Sequence, residues 1–198
     1  MIPEIVYYVA ASLDGYIATP DGGIAWLAPF EASGEDYGYA AFYASVDALL
    51  LGSRTYEQAL TFNEWPYEGK LCWVFSRRAL APVRPEVIIT AESPRQVAAE
   101  LGARGVRLAW LVGGGQLADA FRAEKLISEY IVAMIPVILG AGIPLFGAPD
   151  PDPRRLRKSA KASTPGEPLK LIEHKAYPNG VVQLKYSGGA DLGDHELR

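Results

Sequence analysis

Three consecutive glycines, Gly113 to Gly115, lie in the stretch LAWLVGGGQLADAF, between an apolar run and a helix-like pattern. A glycine-rich turn from a strand into a helix leaves backbone N–H groups free, and the helix dipole adds a positive end, so a phosphate can bind there. Residues 113–118 also match the G-x-G-x-x-G/A dinucleotide pattern. That pattern normally follows the first strand of a fold and here follows the fifth predicted strand, so a tight, closely packed turn explains the glycines equally well.

Two further segments carry groups suited to phosphate binding. LLLGSRTYE at residues 49–57 runs from an apolar strand into a helix that carries Arg54, and VFSRR at residues 74–78 ends a strand at Ser76 and Arg77. Taken alone, each segment is explained by a capped helix or a solvated turn. Because the C-terminal ends of parallel strands line one rim of a sheet, we expect these arginines and the glycines to meet there. The three segments together predict a cradle for a multi-phosphate ligand such as a dinucleotide.

Other kinds of catalytic site are not indicated. Neither His174 nor His195 has a serine or cysteine elbow nearby, and the sequence contains no G-x-S-x-G, H-E-x-x-H or Walker motif. The single cysteine, Cys72, lies among apolar residues and is typical of an inert core thiol. A lone cysteine excludes an internal disulfide and a zinc site built on thiolates, and no metal site is predicted.

Apolar runs and turn signals place these residues in an α/β domain. Ser93 and Pro94 begin a capped helix, and an aromatic stripe predicts another helix at residues 35–46. A long strand from residue 129 is interrupted at Pro136, where a bulge or a sheet edge is expected. The pattern predicts a mixed, mostly parallel sheet of about eight strands, closed by an antiparallel hairpin at Asn179-Gly180. Earlier strands are predicted at residues 4–11, 47–52, 71–75, 86–90 and 107–112.

The composition of the 198 residues predicts one domain over residues 1–187, followed by a flexible polar tail at 188–198. A net charge of −4 argues against a nucleic-acid partner. The N-terminus lacks the basic start of a signal peptide, and no apolar stretch reaches the length of about 20 residues that spans a bilayer. We therefore expect a cytoplasmic protein without a membrane partner.

Five motifs in order resemble the dihydrofolate-reductase-like superfamily: VAASLDGYIA, LLLGSRTYE, WVFSRR, WLVGGGQLADAF and EYIVAMIPVILGAGIPLF. The branch with the strongest resemblance is the reductase domain of bacterial riboflavin-pathway deaminase/reductase proteins and their stand-alone relatives. The resemblance runs over residues 3–187 and implies a three-layer α/β sandwich that forms a homodimer. It also implies an NADPH-dependent hydride transfer to a small heterocyclic, pyrimidine-like or pterin-like substrate.

The resemblance further implies which residues bind NADPH. Ala10 and Ile17 would flank the nicotinamide, and the glycine turn, which in this superfamily often holds a cis peptide, would wrap the nicotinamide and the diphosphate. Arg54 and Arg77 would be candidates for the 2′-phosphate. The full implied set is Ala10, Ile17, Gly52, Arg54, Thr55, Phe75, Ser76, Arg77, Val112, Gly113, Gly114, Gly115, Gln116 and Leu117.

The substrate side rests on fewer residues. Trp26 matches an aromatic residue that lines the pyrimidine pocket of the riboflavin reductases, and Tyr37 is a second candidate for the substrate wall. Asp14 is the candidate catalytic acid, although its Asp-Gly context also predicts a plain turn, and water is an alternative proton source. Val112 stands where the riboflavin enzymes commonly carry an acid. A non-catalytic dinucleotide-binding or metabolite-sensing protein on the same fold therefore stays open as an alternative.

Overall fold

The computed structural model describes residues 1–147 and 167–188. Its strands are β1 (Glu4–Ser12), β2 (Tyr16–Ala18), β3 (Ala48–Gly52), β4 (Leu71–Phe75), β5 (Val87–Thr90), β6 (Leu108–Gly113), β7 (Glu129–Ile135), β8 (Ile143–Pro144), β9 (Lys170–Ala176) and β10 (Val182–Ser187). Its helices are α1 (Ala28–Glu31), α2 (Tyr39–Ser45), α3 (Ser53–Ala59), α4 (Pro94–Ala103) and α5 (Gly115–Ala123), with a 3-10 turn at Ala25–Leu27.

Eight strands form one sheet in the order β5-β4-β3-β6-β1-β7-β10-β9. The first six strands in this order are parallel to their neighbours, and β10 is antiparallel to both β7 and β9. This confirms the predicted mixed, mostly parallel sheet with a C-terminal hairpin. Strands β2 and β8 form a separate two-stranded sheet that the sequence did not predict, because runs of two or three residues carry no readable alternation.

Helices cover both faces of the sheet, which makes three layers. Leu50 of β3 packs in the core layer that contains Phe121 of α5, whereas Leu49 and Leu51 pack in the opposite layer with Tyr56 of α3. Successive strand residues point to opposite faces, so a strand covered on both sides is apolar throughout. The three consecutive leucines of β3 are therefore explained by its central position between two helical layers. The predicted three-layer α/β sandwich is confirmed.

The elements differ from the predictions at two places. Strand β7 ends at Ile135 instead of continuing through Pro136, and the N–H of Val137 donates to the carbonyl of Ile135 at 2.7 Å. Proline has no N–H for a ladder, so the strand ends there rather than bulging. The helix expected over residues 35–46 begins only at Tyr39, because Gly38 is left-handed with φ 79° and its N–H donates to the Asp36 carboxylate.

The other local signals hold in the structure. Ser93 and Gln96 form the capping box of α4 with Pro94 in its first turn. The N–H of Gly180, with φ 87°, donates to the carbonyl of Tyr177 at 2.9 Å and closes the β9–β10 turn. The polar tail predicted at 188–198 lies, from residue 189 onward, outside the described residues.

The described ranges, 1–147 and 167–188, contain no helix long and apolar enough to cross a membrane. In the same ranges, no group of three His, Cys, Asp or Glu residues could hold a metal ion. Cys72 is fully buried in β4, and burial raises the pKa of its thiol to about 12. His174 lies on the exposed strand β9, and His195 is outside the described residues.

Candidate functional site

One cleft of about 2170 Å³ opens along the C-terminal ends of the parallel strands. Because six of these strands are parallel neighbours, the loops that follow them share a rim, which is where ligands bind in open α/β sheets. Every residue that the sequence indicated for the cofactor lines this cleft: Ala10, Ile17, Gly52, Arg54, Thr55, Phe75, Ser76, Arg77, Val112, Gly113, Gly114, Gly115, Gln116 and Leu117. The fold thus brings together segments that are more than 100 residues apart in the chain.

The three glycines at the end of β6 have three different environments. Gly113 has φ 133°, a conformation that side chains rarely adopt, and its peptide bond to Gly114 is cis. A β-carbon on Gly114 would meet only Thr55 Oγ1, at 3.7 Å, so this position is open. A β-carbon on Gly115 would lie 2.2 Å from the Pro144 carbonyl oxygen. Close packing therefore explains Gly115, whereas Gly114 leaves space within the cleft.

The N-terminus of α5 presents free backbone donors beside the glycines. The N–H groups of Leu117 and Ala118 both donate to the carbonyl of Gly114, at 2.9 and 3.1 Å. The preceding N–H groups, of Gly115 and Gln116, make no hydrogen bond within the described residues. Free first-turn amides together with the helix dipole attract anions.

Positive charge lines the cleft beyond β3 and β4. Arg78 is engaged, since its guanidinium lies 2.7 Å from the carboxylate of Glu57. Arg54 and Arg77 are exposed cleft residues that form no ion pair within the described part of the chain. Ser76 bonds locally, because its Oγ donates to the Arg78 carbonyl and accepts from the Arg78 N–H. The two unengaged arginines are thus the cations best placed to receive a phosphate.

An aromatic wall, made of Tyr39, Tyr67 and Trp110, is centred on Trp110 of β6. Trp110 of β6 is 8% exposed, and its indole N–H donates to the Tyr8 carbonyl at 3.0 Å. The rings of Tyr39 and Tyr67 meet Trp110 edge-on at centroid distances of 5.6 and 6.0 Å. All three line the cleft. Such a wall suits a flat ring system.

Tyr37 lines the cleft, as the sequence suggested for a substrate-wall residue. Its backbone is left-handed with φ 55°, and its carbonyl accepts hydrogen bonds from the Tyr8 hydroxyl and the Gln183 side chain, both at 3.0 Å. Its own hydroxyl donates to the Phe30 carbonyl at 3.0 Å. These bonds hold an unfavourable backbone conformation in place at the mouth of the cleft.

Trp26 does not line the cleft. It packs in a small cluster with Ala133, Ile135 and Tyr177, and its buried indole N–H has no partner among the described residues. The resemblance implied a position in the substrate pocket, and the ring packs toward β7 and the β9–β10 turn. Because Ala133 and Ile135 of this cluster line the cleft, the substrate contact of Trp26 stays a prediction.

Asp14 also lies outside the cleft lining, and its carboxylate is engaged. One oxygen accepts from the Ser12 hydroxyl at 2.7 Å and from the Leu139 N–H at 3.1 Å, and the other accepts from the Gly140 N–H at 2.7 Å. The bond from Ser12, followed by those from the backbone, holds the pKa of Asp14 below its usual value. These contacts give Asp14 a structural role that ties the β1 loop to residues 139–140, and its catalytic role stays a prediction.

The sequence missed Tyr67 as a site residue. It belongs to the irregular segment between α3 and β4, where no periodic pattern marks one side chain over another. Tyr39 was recognised only as part of a helical stripe. Several aromatic residues pack around Trp110, but their spacing in the sequence does not show that they form one wall.

Comparison with known proteins places the chain among relatives of this architecture. The family model described as RibD C-terminal domain matches residues 3–182. The uncharacterized protein YwjB of Bacillus subtilis is 42% identical over 144 residues, which is 72% of this chain and 82% of YwjB. A second uncharacterized protein of that organism, YyaP, is 26% identical over 92% of this chain and 94% of its own length.

Solved structures agree with the observed fold. A candidate riboflavin biosynthesis protein of Shewanella sp. PV-4 superposes with a TM-score of 0.77 at 26% identity, covering 96% of this chain and all of that protein. The diaminohydroxyphosphoribosylaminopyrimidine deaminase/5-amino-6-(5-phosphoribosylamino)uracil reductase of Thermotoga maritima gives a TM-score of 0.68 at 15% identity. That match covers 95% of this chain and 57% of the Thermotoga protein, and at this identity it shows the fold alone. The family match and the 42% identity to YwjB together show that the chain belongs to the RibD C-terminal domain family.

Proposed function

We propose that this protein is an NADPH-dependent reductase that transfers a hydride to a C=N or C=O carbon of a small pyrimidine-like or pterin-like substrate. The observation that carries the proposal is that all the residues implied for NADPH line one cleft. Membership of the RibD C-terminal domain family supports the same reading. The Thermotoga protein of the same fold is named as a uracil reductase, which indicates the reaction class to examine first.

The residues present fit a phosphate-rich dinucleotide. The open side of Gly114 leaves room against the backbone, and the free N–H groups of Gly115 and Gln116 suit a diphosphate. Arg54 and Arg77, which have no described ion-pair partner, suit the additional phosphate that distinguishes NADPH from NADH. The cofactor would extend from the arginines across the glycine turn toward Ala10.

NADPH would supply the hydride, and the chain would supply orientation and electrostatics. Three of the acids that line the cleft are already engaged in hydrogen bonds or an ion pair. Asp21 and Asp36 are exposed, and hydrogen bonds lower the pKa of each carboxyl. Glu57 pairs with Arg78. We therefore propose that water, which reaches the open cleft, supplies the proton.

Titration of the purified protein with NADPH and separately with NADH tests this function. Trp110 lies in the cleft wall and should report binding through fluorescence quenching. We expect saturable binding with a preference for NADPH of about tenfold or more, as two charge-assisted contacts to the extra phosphate would give. Absence of binding for both nucleotides would overturn the reductase proposal.

The same cleft also permits a dinucleotide-binding or metabolite-sensing protein without turnover. Val112 favours this alternative, because the resemblance expects an acid at that position and Asp14 is engaged elsewhere. NADPH oxidation measured across a panel of pterins and pyrimidines separates the two. Tight NADPH binding without oxidation above background in any mixture would favour the sensing role.

We also propose that the protein forms a homodimer, as the family resemblance implies. Light scattering coupled to size-exclusion chromatography measures the mass directly. A mass of twice the chain is the expected result, and a monomer at micromolar concentration would contradict it.

A further inference from the structure

The loop at residues 19–24, which follows β2, reaches across the cleft to helix α3. Residues 20–24 of this loop line the cleft, and so does Gln58 of α3. The side-chain amide of Gln58 donates a hydrogen bond to the Gly22 carbonyl at 2.9 Å. The cleft is therefore bridged by a hydrogen bond between two segments that are 36 residues apart in the chain.

This bridge crosses the cleft at the end of β6, where the glycine turn lies. The 19–24 loop follows β1 and β2, whereas α3 directly follows β3, and β1 and β3 lie on opposite sides of β6 in the sheet. The start of α3 contacts the glycine turn itself, since a β-carbon on Gly52 would lie 3.5 Å from the Gly113 carbonyl oxygen. A ligand that extends from Arg54 to Ala10 would therefore pass the bridge.

The supports of the bridge are fixed independently of the bridging bond. Strand β2 pairs with β8, with Ala18 opposite Ile143, and Pro144 of β8 packs closely against Gly115 at the start of α5. On the other side, Gln58 belongs to α3, whose position follows from the buried strand β3. Both supports therefore stay in place when the hydrogen bond between Gln58 and the loop opens.

The tip of the 19–24 loop is a compact turn that can move as a unit. The N–H of Thr19 donates to the Gly23 carbonyl, and the N–H of Gly22 donates to the Thr19 carbonyl, both at 2.9 Å. The Thr19 hydroxyl also donates to the Gly23 carbonyl, at 3.1 Å. These bonds do not involve Gln58, so the turn keeps its shape whether the bridge is closed or open.

The bridge is weak enough to open and close repeatedly. Gln58 is half-buried, whereas Pro20 and Asp21 at the tip of the loop are exposed. A neutral hydrogen bond of this kind favours the closed arrangement over the open one by about two- to tenfold. Loops that cover a ligand site commonly set the rate at which the ligand enters and leaves.

We propose that Gln58 is a positioning residue that closes the cleft over the dinucleotide by holding the 19–24 loop across the glycine turn. The bridge forms with and without the ligand, and the dinucleotide enters and leaves while the bridge is open. The inference rests on the proposed function, because it takes NADPH as the ligand that passes the bridge. Gln58 thus acts on the rate of cofactor exchange through the loop.

Stopped-flow mixing of NADPH with the wild type and with Gln58→Met tests the proposal. Methionine has a similar length and helix propensity but no N–H donor. A bridge that opens more often in both the free and the bound protein raises the association and dissociation rate constants by the same factor and leaves Kd unchanged. We expect both rate constants of Gln58→Met to rise about two- to tenfold, with Kd within about twofold of the wild type.

Two results of this experiment would overturn the proposal. Unchanged rate constants would show that the bridge does not limit cofactor exchange. A change in one rate constant alone, with Kd shifted by the same factor, would show that Gln58 contacts NADPH directly. Failure of the wild type to bind NADPH is a different result, which counts against the proposed reductase.

Gln183→Met is the matched control. It is the same exchange on β10, where the Gln183 amide donates to the Tyr8 hydroxyl and the Tyr37 carbonyl, both at 3.0 Å. Its NADPH rate constants should equal those of the wild type, and an equal acceleration in this variant would contradict a specific role of Gln58.

Hydrogen exchange measures the state of the loop without any nucleotide. The backbone amides of residues 19–24 should exchange faster in Gln58→Met than in the wild type, because the loop loses its contact with α3. Equal exchange of this segment in the two proteins would show that Gln58 does not hold the loop, and would overturn the proposal.

Discussion

Gly115 packs against the carbonyl oxygen of Pro144 so closely that a β-carbon on Gly115 would lie 2.2 Å from that oxygen. The neighbouring Gly147 interacts with the same residue, because its N–H donates to the Gly115 carbonyl at 3.0 Å. The start of α5 is therefore fixed to the β8 segment by backbone contacts. Gly114, one residue earlier, has no such neighbour and opens toward Thr55.

Gly115→Ala should destabilise the fold, because the Pro144 carbonyl is backbone and cannot move aside cheaply. We expect a loss of about 1–3 kcal/mol in the free energy of unfolding, the usual range for overpacking. Urea denaturation followed by tryptophan fluorescence measures it. A urea midpoint equal to that of the wild type would show that the β8 backbone can shift to accommodate the added methyl group.

Gly114→Ala should reduce NADPH affinity while leaving stability within about 0.5 kcal/mol of wild type. Gly114 has extended backbone with φ −87° and ψ −173°, which alanine adopts readily, and its β-carbon would occupy open cleft. Parallel fluorescence titration and denaturation of this variant and Gly115→Ala give a matched pair. The opposite pattern, with normal NADPH binding and lost stability, would mean that Gly114 serves packing.

The double variant Arg54→Gln/Arg77→Gln should abolish the preference for NADPH over NADH. Each charge-assisted contact to the extra phosphate contributes about 1.5–3 kcal/mol, so NADPH affinity should fall at least about tenfold while NADH affinity changes little. Arg78→Gln is the control, since Arg78 is already paired with Glu57. A preference that survives in the double variant, or disappears in the control, would place the phosphate site elsewhere.

Local chemistry made much of this fold predictable from sequence. Ser93 with Pro94 marked the start of α4, and Asn179-Gly180 marked the hairpin, because capping and turn formation depend on neighbouring residues. The rim residues were predictable for a related reason: parallel strands end on the same side, so a motif after each strand must reach the same cleft.

Long-range packing determines the side-chain contacts that could not be predicted from the sequence. Asp14 accepts hydrogen bonds from Leu139 and Gly140, about 125 residues away. The sequence around Asp14 could not show that these bonds hold its carboxylate. Trp26 packs beside Tyr177 for the same kind of reason. A residue type identifies what a side chain can do, whereas only the assembled core decides which way it faces.

Cys72 should resist thiol reagents in the folded protein. It is fully buried, and its pKa is raised to about 12 by burial and secondarily by the charge of Glu86, so thiolate is scarce at neutral pH. Ellman's reagent at pH 8 should label less than a tenth of the chains within an hour natively and one thiol per chain in guanidinium chloride. Rapid native labelling would show that β4 opens on this timescale.

Asp14→Asn should lower stability in a pH-dependent way while sparing hydride transfer. The amide keeps one acceptor and places an N–H₂ group against a backbone donor, so one of the bonds to Leu139 and Gly140 is lost. Because the pKa of Asp14 is lowered in the folded state, its carboxylate stabilises the fold fully above its usual value of 3.8. That contribution disappears as the pH falls through the lower folded value. Denaturation midpoints should therefore differ between variant and wild type at pH 7 and converge as the pH falls well below 3.8. A variant with wild-type stability at pH 7 but no NADPH oxidation would restore Asp14 as the catalytic acid.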